Sequence, residues 1–392
     1  MSGAMSWPFL RLYLLVLLYF SANSILNVII PLQGGALGAT NTTIGLIMGA
    51  YLFTTMFFRP WAGHVIRKYG PIKVLRIILI INGFALILYT VTGLGGFLVA
   101  RMLQGVSTAF FSMALQIGII DALPVKDRSQ GISLYSLFSY IPGIIGPLLA
   151  LGIWQSGMEY FAVVMIAIAI FTGVFGYSTK MDKREVQPFT KSAEQGVNMF
   201  NSFGQLVKNP HLFKCSVLML VSSIIFGAVT IFTPLYAEQV KNGNAGVFLM
   251  LMAGTVVFTR FSLRKKIPSD GKWHSSFMMG TMLLLAMGAQ CVSFAINGGV
   301  IFFYLGAILI GIAQALLYPT LTTFLSFVLP HANRNILLGL FIAMADLGVS
   351  LGGVIMGPMA DLFSFSFMYM ICAILGVTMI FFAYDRRKIF VG

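Results

Sequence analysis

The sequence predicts an all-α polytopic membrane protein, with twelve transmembrane helices in two six-helix halves. Three observations predict it. Of 392 residues, 58% are hydrophobic and 9% charged, giving a mean hydropathy of +0.91, more apolar surface than a soluble domain can bury. Apolar runs of about twenty residues, the length that crosses a bilayer core, recur along the whole chain. Of the 25 Lys and Arg, all but Arg101 and Lys241 fall on one side of the resulting topology. The formal net charge of +14 therefore follows the positive-inside rule and does not mark a nucleic-acid surface. That bias puts the basic side, and both termini, in the cytoplasm.

In chain order, the first span covers 10–32 and is too long, with no small-residue cleavage site, to be a signal peptide. Span 2 covers 44–66, followed by a basic turn, Arg67 to Lys73. Span 3 covers 74–92 and Gly93 to Gly96 form an outer turn. Span 4 covers 97–124, and Lys126-Asp127-Arg128 reads as a short inner loop. Span 5 covers 131–151, Trp154 to Glu159 lie outside, and span 6 covers 160–178. Residues 179–210 are polar and charged, a cytoplasmic linker that is either disordered or carries a short amphipathic helix over 197–207. The second half begins there. Its spans are 212–236, broken near Pro234, then 247–261, 276–296, 300–329, 336–362 and 365–384. The domains are thus 1–178, the linker 179–210 and 211–392.

The halves repeat. Pro124 and Pro330, Arg128 and Arg334, and Gly105 and Gly311 are separated by one common interval. Six-plus-six repeats with a substrate path between the halves build many secondary transporters. At the position equivalent to Arg101 the second half has Ala307, so packing alone does not demand a cation in span 4.

A cation in hydrocarbon costs roughly 2.5–3.5 kcal/mol on insertion scales. Arg101 either snorkels to the nearby outer interface or faces a protein-lined cavity and acts there. A guanidinium there offers paired donors to a carboxylate. Gln104 lies one turn on, and Gln116 further down. Asn23 and Asn27 share one face of span 1, and Gln314 and Tyr318 extend the polar set on span 10. Each is individually either a helix–helix hydrogen bond or a ligand contact. Among the eleven Asp and Glu, only Asp346 lies deep, about 15 Å from the inner end of span 11. Desolvation there penalises its charged form, which suits a group that loads and releases protons. The alternative is a structural carboxyl bonded to a facing helix, for example to Thr54 or Thr55.

No Gly-x-x-x-x-Gly-Lys-[ST] is present, so ATP is not expected as the energy source, and no cofactor is predicted. Cys215, Cys291 and Cys372 all sit within or at the edge of spans, with no disulfide or CxxC pattern. His64, His211, His274 and His331 lie at inner edges without metal-ligand spacing. No Ser/His, paired-Asp or His-Glu-x-x-His arrangement of an intramembrane enzyme occurs. Asn41-Thr42-Thr43 matches a glycosylation sequon by chance. The Met-rich stretch Phe248 to Met252 reads as packing.

The whole chain resembles the major facilitator superfamily, and within it the drug:proton antiporter branch. The family's loop between spans 2 and 3 reads Gly-x-x-x-Asp-Arg-x-Gly-Arg-Lys. Here Gly63, Lys68 and Gly70 keep its glycines and basic character, after Arg59-Pro60, but Arg67 replaces the acid that latches the halves in the family. Arg101, Gln104 and Gly105 match the span-4 motif Arg-x-x-Gln-Gly, whose arginine is implicated in proton coupling or substrate binding. Gly146-Pro147 matches part of the exporter motif of span 5, with an echo at Gly353, Gly357 and Pro358. The stretches SWPFLRLYLLVLLYFSANSILNVIIPL, FFRPWAGHVIRKYGPIKVLRIILIINGFALILYT and QIGIIDALP look like exporters of opine-type metallophores such as staphylopine.

The resemblance implies a proton-coupled exporter working by alternating access in the cell membrane, as a monomer, on a zwitterionic or anionic small molecule. With the depth of Asp346, it points to proton coupling at Asp346 or through Arg101 and an acid partner. Arg101, Gln104, Gln116, Asn23, Asn27, Gln314 and Tyr318 become the substrate contacts. Arg59, Gly63, Arg67, Lys68, Gly70, Gly146, Pro147, Gly357 and Pro358 become the gating positions. A multidrug efflux antiporter for small amphipathic compounds is the alternative, although span 1 has asparagines where such pumps usually place an acid.

Overall fold

A computed structural model describes residues 3–179, 208–263, 266–268, 270–330 and 334–384. Among them are twelve helices long and apolar enough to cross a membrane: α1 (Trp7–Ala36), α2 (Asn41–Tyr69), α3 (Pro71–Val91), α4 (Leu94–Ala122), α5 (Val125–Ser156), α6 (Met158–Ser178), α7 (Pro210–Tyr236), α8 (Ala245–Ser262), α9 (Ser275–Gly298), α10 (Val300–Val328), α11 (Arg334–Leu362) and α12 (Phe365–Ala383). The expected helix over 197–207 lies outside the described residues, as do His331 and most of the 179–210 linker.

Helices replace several expected loops. The basic turn after span 2 shrinks to Gly70, whose φ of +85° glycine adopts freely, with Pro71 preset for the first turn of α3. Lys126-Asp127-Arg128 is not a loop, because α5 starts at Val125 and puts Asp127 in its first turn, where a carboxylate complements the positive helix end. Of the expected outer turn at Gly93 to Gly96, only Gly93 lies outside helix, since α4 starts at Leu94. Gly157, at φ +116°, alone separates α5 from α6. Pro234 does not break α7, which runs unbroken to Tyr236. In a membrane a freed carbonyl finds partners on neighbouring helices, so proline is tolerated inside a span.

The chain forms two compact units, Met1–Ala39 with Leu46–Lys191, and Thr40–Gly45 with Ser192–Gly392. In the first, α1 packs on α5 and α6, and α3 on α4 and α6. In the second, α7 packs on α11, and α9 on α10 and α12. Both units use glycine for close approach. A Cβ on Gly146 would lie 2.4 Å from Ser24 Oγ, and one on Gly348 would lie 2.5 Å from Ser223 Cβ.

The first unit's core includes Tyr13, Val16, Leu75, Leu79, Phe111 and Leu115, with Tyr19 stacked on Phe111 at 3.8 Å. The exposed faces carry Ile77, Ile80, Phe84, Val163 and Val174, apolar side chains that a bilayer would cover.

Candidate site in the first unit

Arg101 is 0% exposed. It does not snorkel, since its side chain turns inward and polar groups of three helices meet it. Nη1 donates to Asn23 Oδ1 at 2.9 Å and to Gln104 Oε1 at 3.2 Å. Nη2 donates to Asn27 Oδ1 at 2.8 Å and to Met48 Sδ at 3.2 Å. The guanidinium lies over the Tyr51 ring, 5.3 Å from its centroid. The i, i+4 spacing of Asn23 and Asn27 aims both amides at one cation.

A second tier holds the first. Tyr89 donates to Gln104 Oε1 at 3.0 Å. Tyr51 donates to Thr108 Oγ1 at 3.1 Å, and the Tyr19 hydroxyl meets the same Thr108 oxygen at 2.9 Å. Gly105 lets α2 come this close, since a Cβ there would lie 2.3 Å from Tyr51 O. Thr55 bonds back to Tyr51 O at 2.8 Å and across to Gly105 O at 3.0 Å.

Every acceptor on Arg101 is neutral. Carbonyl dipoles, a thioether and an aromatic face solvate the cation, and among the described residues no carboxylate pairs with it. Arg101 Nε and Gln104 Nε2 are buried without an acceptor. Buried donors left unmatched are costly, so these two N–H groups are the unsatisfied part of an otherwise bonded cluster.

The expected polar set is Arg101, Gln104, Gln116, Asn23, Asn27, Gln314 and Tyr318; of these, hydrogen bonds join Arg101 with Gln104, Asn23 and Asn27. That set missed Met48, Tyr51, Tyr89, Thr108 and Tyr19. A partial signal was available for Tyr19 and Tyr51, which fall inside spans rather than at the interfaces where membrane tyrosines usually collect, whereas Tyr89 lies near the end of α3. Gln116 stands apart from the cluster, exposed on α4.

Gln314 is half-buried on α10. Tyr318 is half-buried too, its ring 6.0 Å from that of Phe341. Asp346 is half-buried on α11. Among the predicted gating positions, Arg59 is half-buried and Pro147 buried. Lys68 lies 5.3 Å over the Tyr69 ring. Gly63 faces Met113, and Pro358 is half-buried. The side chain of Arg67 lies outside the described residues. A Cβ on Gly357 would meet Asn41 O at 2.7 Å.

His211 packs edge-on to Phe324. His274 Nε2 lies 2.8 Å from Asp270 Oδ1, and this bond holds the Asp270 carboxyl below its usual range. Among the described residues no group of three or more His, Cys, Asp or Glu could hold a metal ion.

The chain matches the Major Facilitator Superfamily model over residues 12–268 and 271–389. It is 55% identical to the staphylopine export protein of Staphylococcus aureus strain Mu50, over 99% of this chain and 98% of that one. It is also 27% identical to multidrug resistance protein 2 of Bacillus subtilis, over 35% of each chain. Among solved structures, the nucleoside transporter NupG superposes with a TM-score of 0.73 at 14% identity, covering 96% of this chain and 98% of that one. The D-xylose–proton symporter superposes at 0.74 and 14% identity, covering 96% and 97%. At this identity both show a likeness of fold alone. With its helices, its repeat and a family model matched from one end to the other, the chain is a multi-pass membrane transporter belonging to the major facilitator superfamily.

Proposed function

We propose that the chain exports an opine-type metallophore of the staphylopine kind by alternating access, driven by protons, from the cytoplasm across the plasma membrane, as a monomer with both termini inside. The observation that carries this reading is the Arg101 centre. A buried cation surrounded only by neutral acceptors is solvated but not neutralised, and burying an uncompensated charge is expensive. A carboxylate-rich cargo supplies the missing anion, and a guanidinium binds carboxylates through paired donors. The full-length identity to the staphylopine export protein supports the same cargo and outweighs the partial match to a multidrug resistance protein.

In this reading Asn23, Asn27, Gln104 and Tyr51 hold the guanidinium in one orientation before cargo arrives, and Arg101 Nε and Gln104 Nε2, buried without an acceptor, become available to the cargo only once the helices around them part. Gln116, Gln314 and Tyr318 would be contacted elsewhere along the path. Asp346 is the proton carrier, because it is a half-buried carboxyl within a span. A proton crossing inward releases about 2.3 kcal/mol per 100 mV, enough to drive a coupled export step.

Deletion of the gene should make cells retain the opine, measured by mass spectrometry of cell extracts. Complementation with Arg101→Ala should leave secretion lost while the protein inserts normally. Normal secretion from the deletion strain, with heightened sensitivity to lipophilic dyes, would instead favour multidrug efflux.

A further inference from the structure

The compact unit built on α7 to α12 also takes in Thr40–Gly45, the entry and first turn of α2. Two features seat that turn on α11. The first is close backbone approach. A Cβ on Gly45 would lie 2.1 Å from Gly353 O, and one on Gly357 would lie 2.9 Å from Thr42 Cα. The second is a carboxylate. Asp361, in the last turn of α11, receives the Asn41 N–H on Oδ1 at 2.8 Å. Its Oδ2 receives the Thr42 N–H at 2.8 Å and the Thr42 hydroxyl at 2.5 Å.

The first N–H groups of any helix lack intrahelical partners and carry partial positive charge. Thr40 Oγ1 takes the Thr43 N–H at 3.1 Å, as a local cap. Asp361 takes the other two from 320 and 319 positions away. The Asn41-Thr42-Thr43 triplet that resembles a sequon is therefore the receptor of a carboxylate clamp.

We infer that Asp361 is a positioning residue for transport: it locks the first turn of α2 onto α11 at the outer side and must release it when the chain opens outward. The outer-side assignment and the opening step rest on the alternating-access reading above. Three hydrogen bonds to one ionised carboxylate hold the turn firmly. They lie at an exposed position, where water replaces them once the turn leaves. The glycines make the seat all-or-none, because backbone that meets backbone has no side chain to flex. A clamp of this kind biases an equilibrium between two states rather than welding one.

The test is labelling of whole cells with a membrane-impermeant maleimide. The reporter is Asn27→Cys in a Cys291→Ser background, since Cys215 and Cys372 are buried. Adding Asp361→Asn should speed labelling about tenfold, the effect of weakening hydrogen bonds to a charged group. Asp361→Glu should restore slow labelling. Gly357→Ala, which drives a Cβ into Asn41 O without altering charge, should also speed it. Without the reporter cysteine, Asp361→Asn should slow export at an unchanged amount of protein in the membrane. Unchanged labelling in both Asp361→Asn and Gly357→Ala overturns the lock. The labelling needs no cargo. A different cargo with faster labelling leaves the lock standing, and confirmed staphylopine export with unchanged labelling removes the lock alone.

Discussion

The two units share a packing scheme and differ in chemistry. In the first, a Cβ on Gly105 of α4 would meet Tyr51 O at 2.3 Å and Thr54 Cβ at 2.9 Å. In the second, a Cβ on Gly311 of α10 would meet Met252 O at 2.7 Å and Thr255 Cβ at 2.9 Å. The same helix pair closes on the same glycine with the same threonine. Ser24 against Gly146 and Ser223 against Gly348 repeat likewise.

These contacts fix the correspondence, and every group on Arg101 then changes. Ala307 stands for Arg101, Met252 for Tyr51, Leu249 for Met48, Ile310 for Gln104, and Ser222 and Phe226 for Asn23 and Asn27. All of those second-unit residues are buried. One half keeps a solvated cation where the other keeps a mostly apolar, uncharged set in which Ser222 is the single polar side chain. The glycines therefore serve the fold, and the polar set is an addition that the fold does not require.

The comparison can be broken most severely by moving the charge. Ala307→Arg puts a guanidinium into a site lined by Met252, Leu249 and Ile310, with none of the amide acceptors of the first unit. The insertion cost of roughly 2.5–3.5 kcal/mol has no local compensation, so the variant should fail to accumulate in membranes. Quantitative blotting against Arg101→Ala, which should accumulate, checks this. Normal accumulation of Ala307→Arg would mean that the second unit can also solvate a cation, and the asymmetry would lose its meaning.

The shared scheme predicts a smaller, paired effect. Gly105→Ala and Gly311→Ala each force a Cβ against a carbonyl oxygen of the facing helix, and overpacking of this kind costs about 1–3 kcal/mol. Both should lower the thermal midpoint of the detergent-solubilised protein, Gly105→Ala more because its contact is tighter. Only Gly105→Ala should also depress export, because it displaces Tyr51 from beneath Arg101. Equal loss of export from both would show that the glycines act through general stability alone.

Much of this was legible in the sequence, for reasons that differ by residue. Twelve apolar runs can hide only as helices in a bilayer, so the architecture followed from length and polarity. Arg101, Gln104, Asn23 and Asn27 stood out because polar groups in hydrocarbon need partners, and helical spacing aligned them. Loops were read too long. At Lys126 to Arg128 the charges look like a loop, yet helix continues through them because an interfacial first turn tolerates charge. Tyr51 stands out by depth but not by composition, and Tyr89 sits near the end of α3, where an interfacial tyrosine is the ordinary expectation. Asp361 has no local signature at all, since its partners lie about 320 positions away in the chain.

The smallest expected effect separates the two roles of Tyr51. Its ring faces Arg101 and its hydroxyl bonds Thr108, so two substitutions divide them. Tyr51→Met copies Met252 and removes both, at about 0.5–2 kcal/mol for the ring–cation contact and about 0.5–1.5 kcal/mol for the hydrogen bond. Tyr51→Phe keeps the ring and loses only the bond. If the ring is what holds the guanidinium in line, Tyr51→Met should raise the concentration of opine needed for half-maximal export in inverted vesicles, and Tyr51→Phe should stay within about threefold of the parent protein, the lower end of the hydrogen-bond range. If the hydroxyl tier of Thr108 and Tyr19 sets the geometry instead, the two variants should fall together. That outcome would shift the centre of the site from the face of one aromatic ring to the hydroxyl chain behind it, and Tyr19→Phe would then reproduce the defect from the far end.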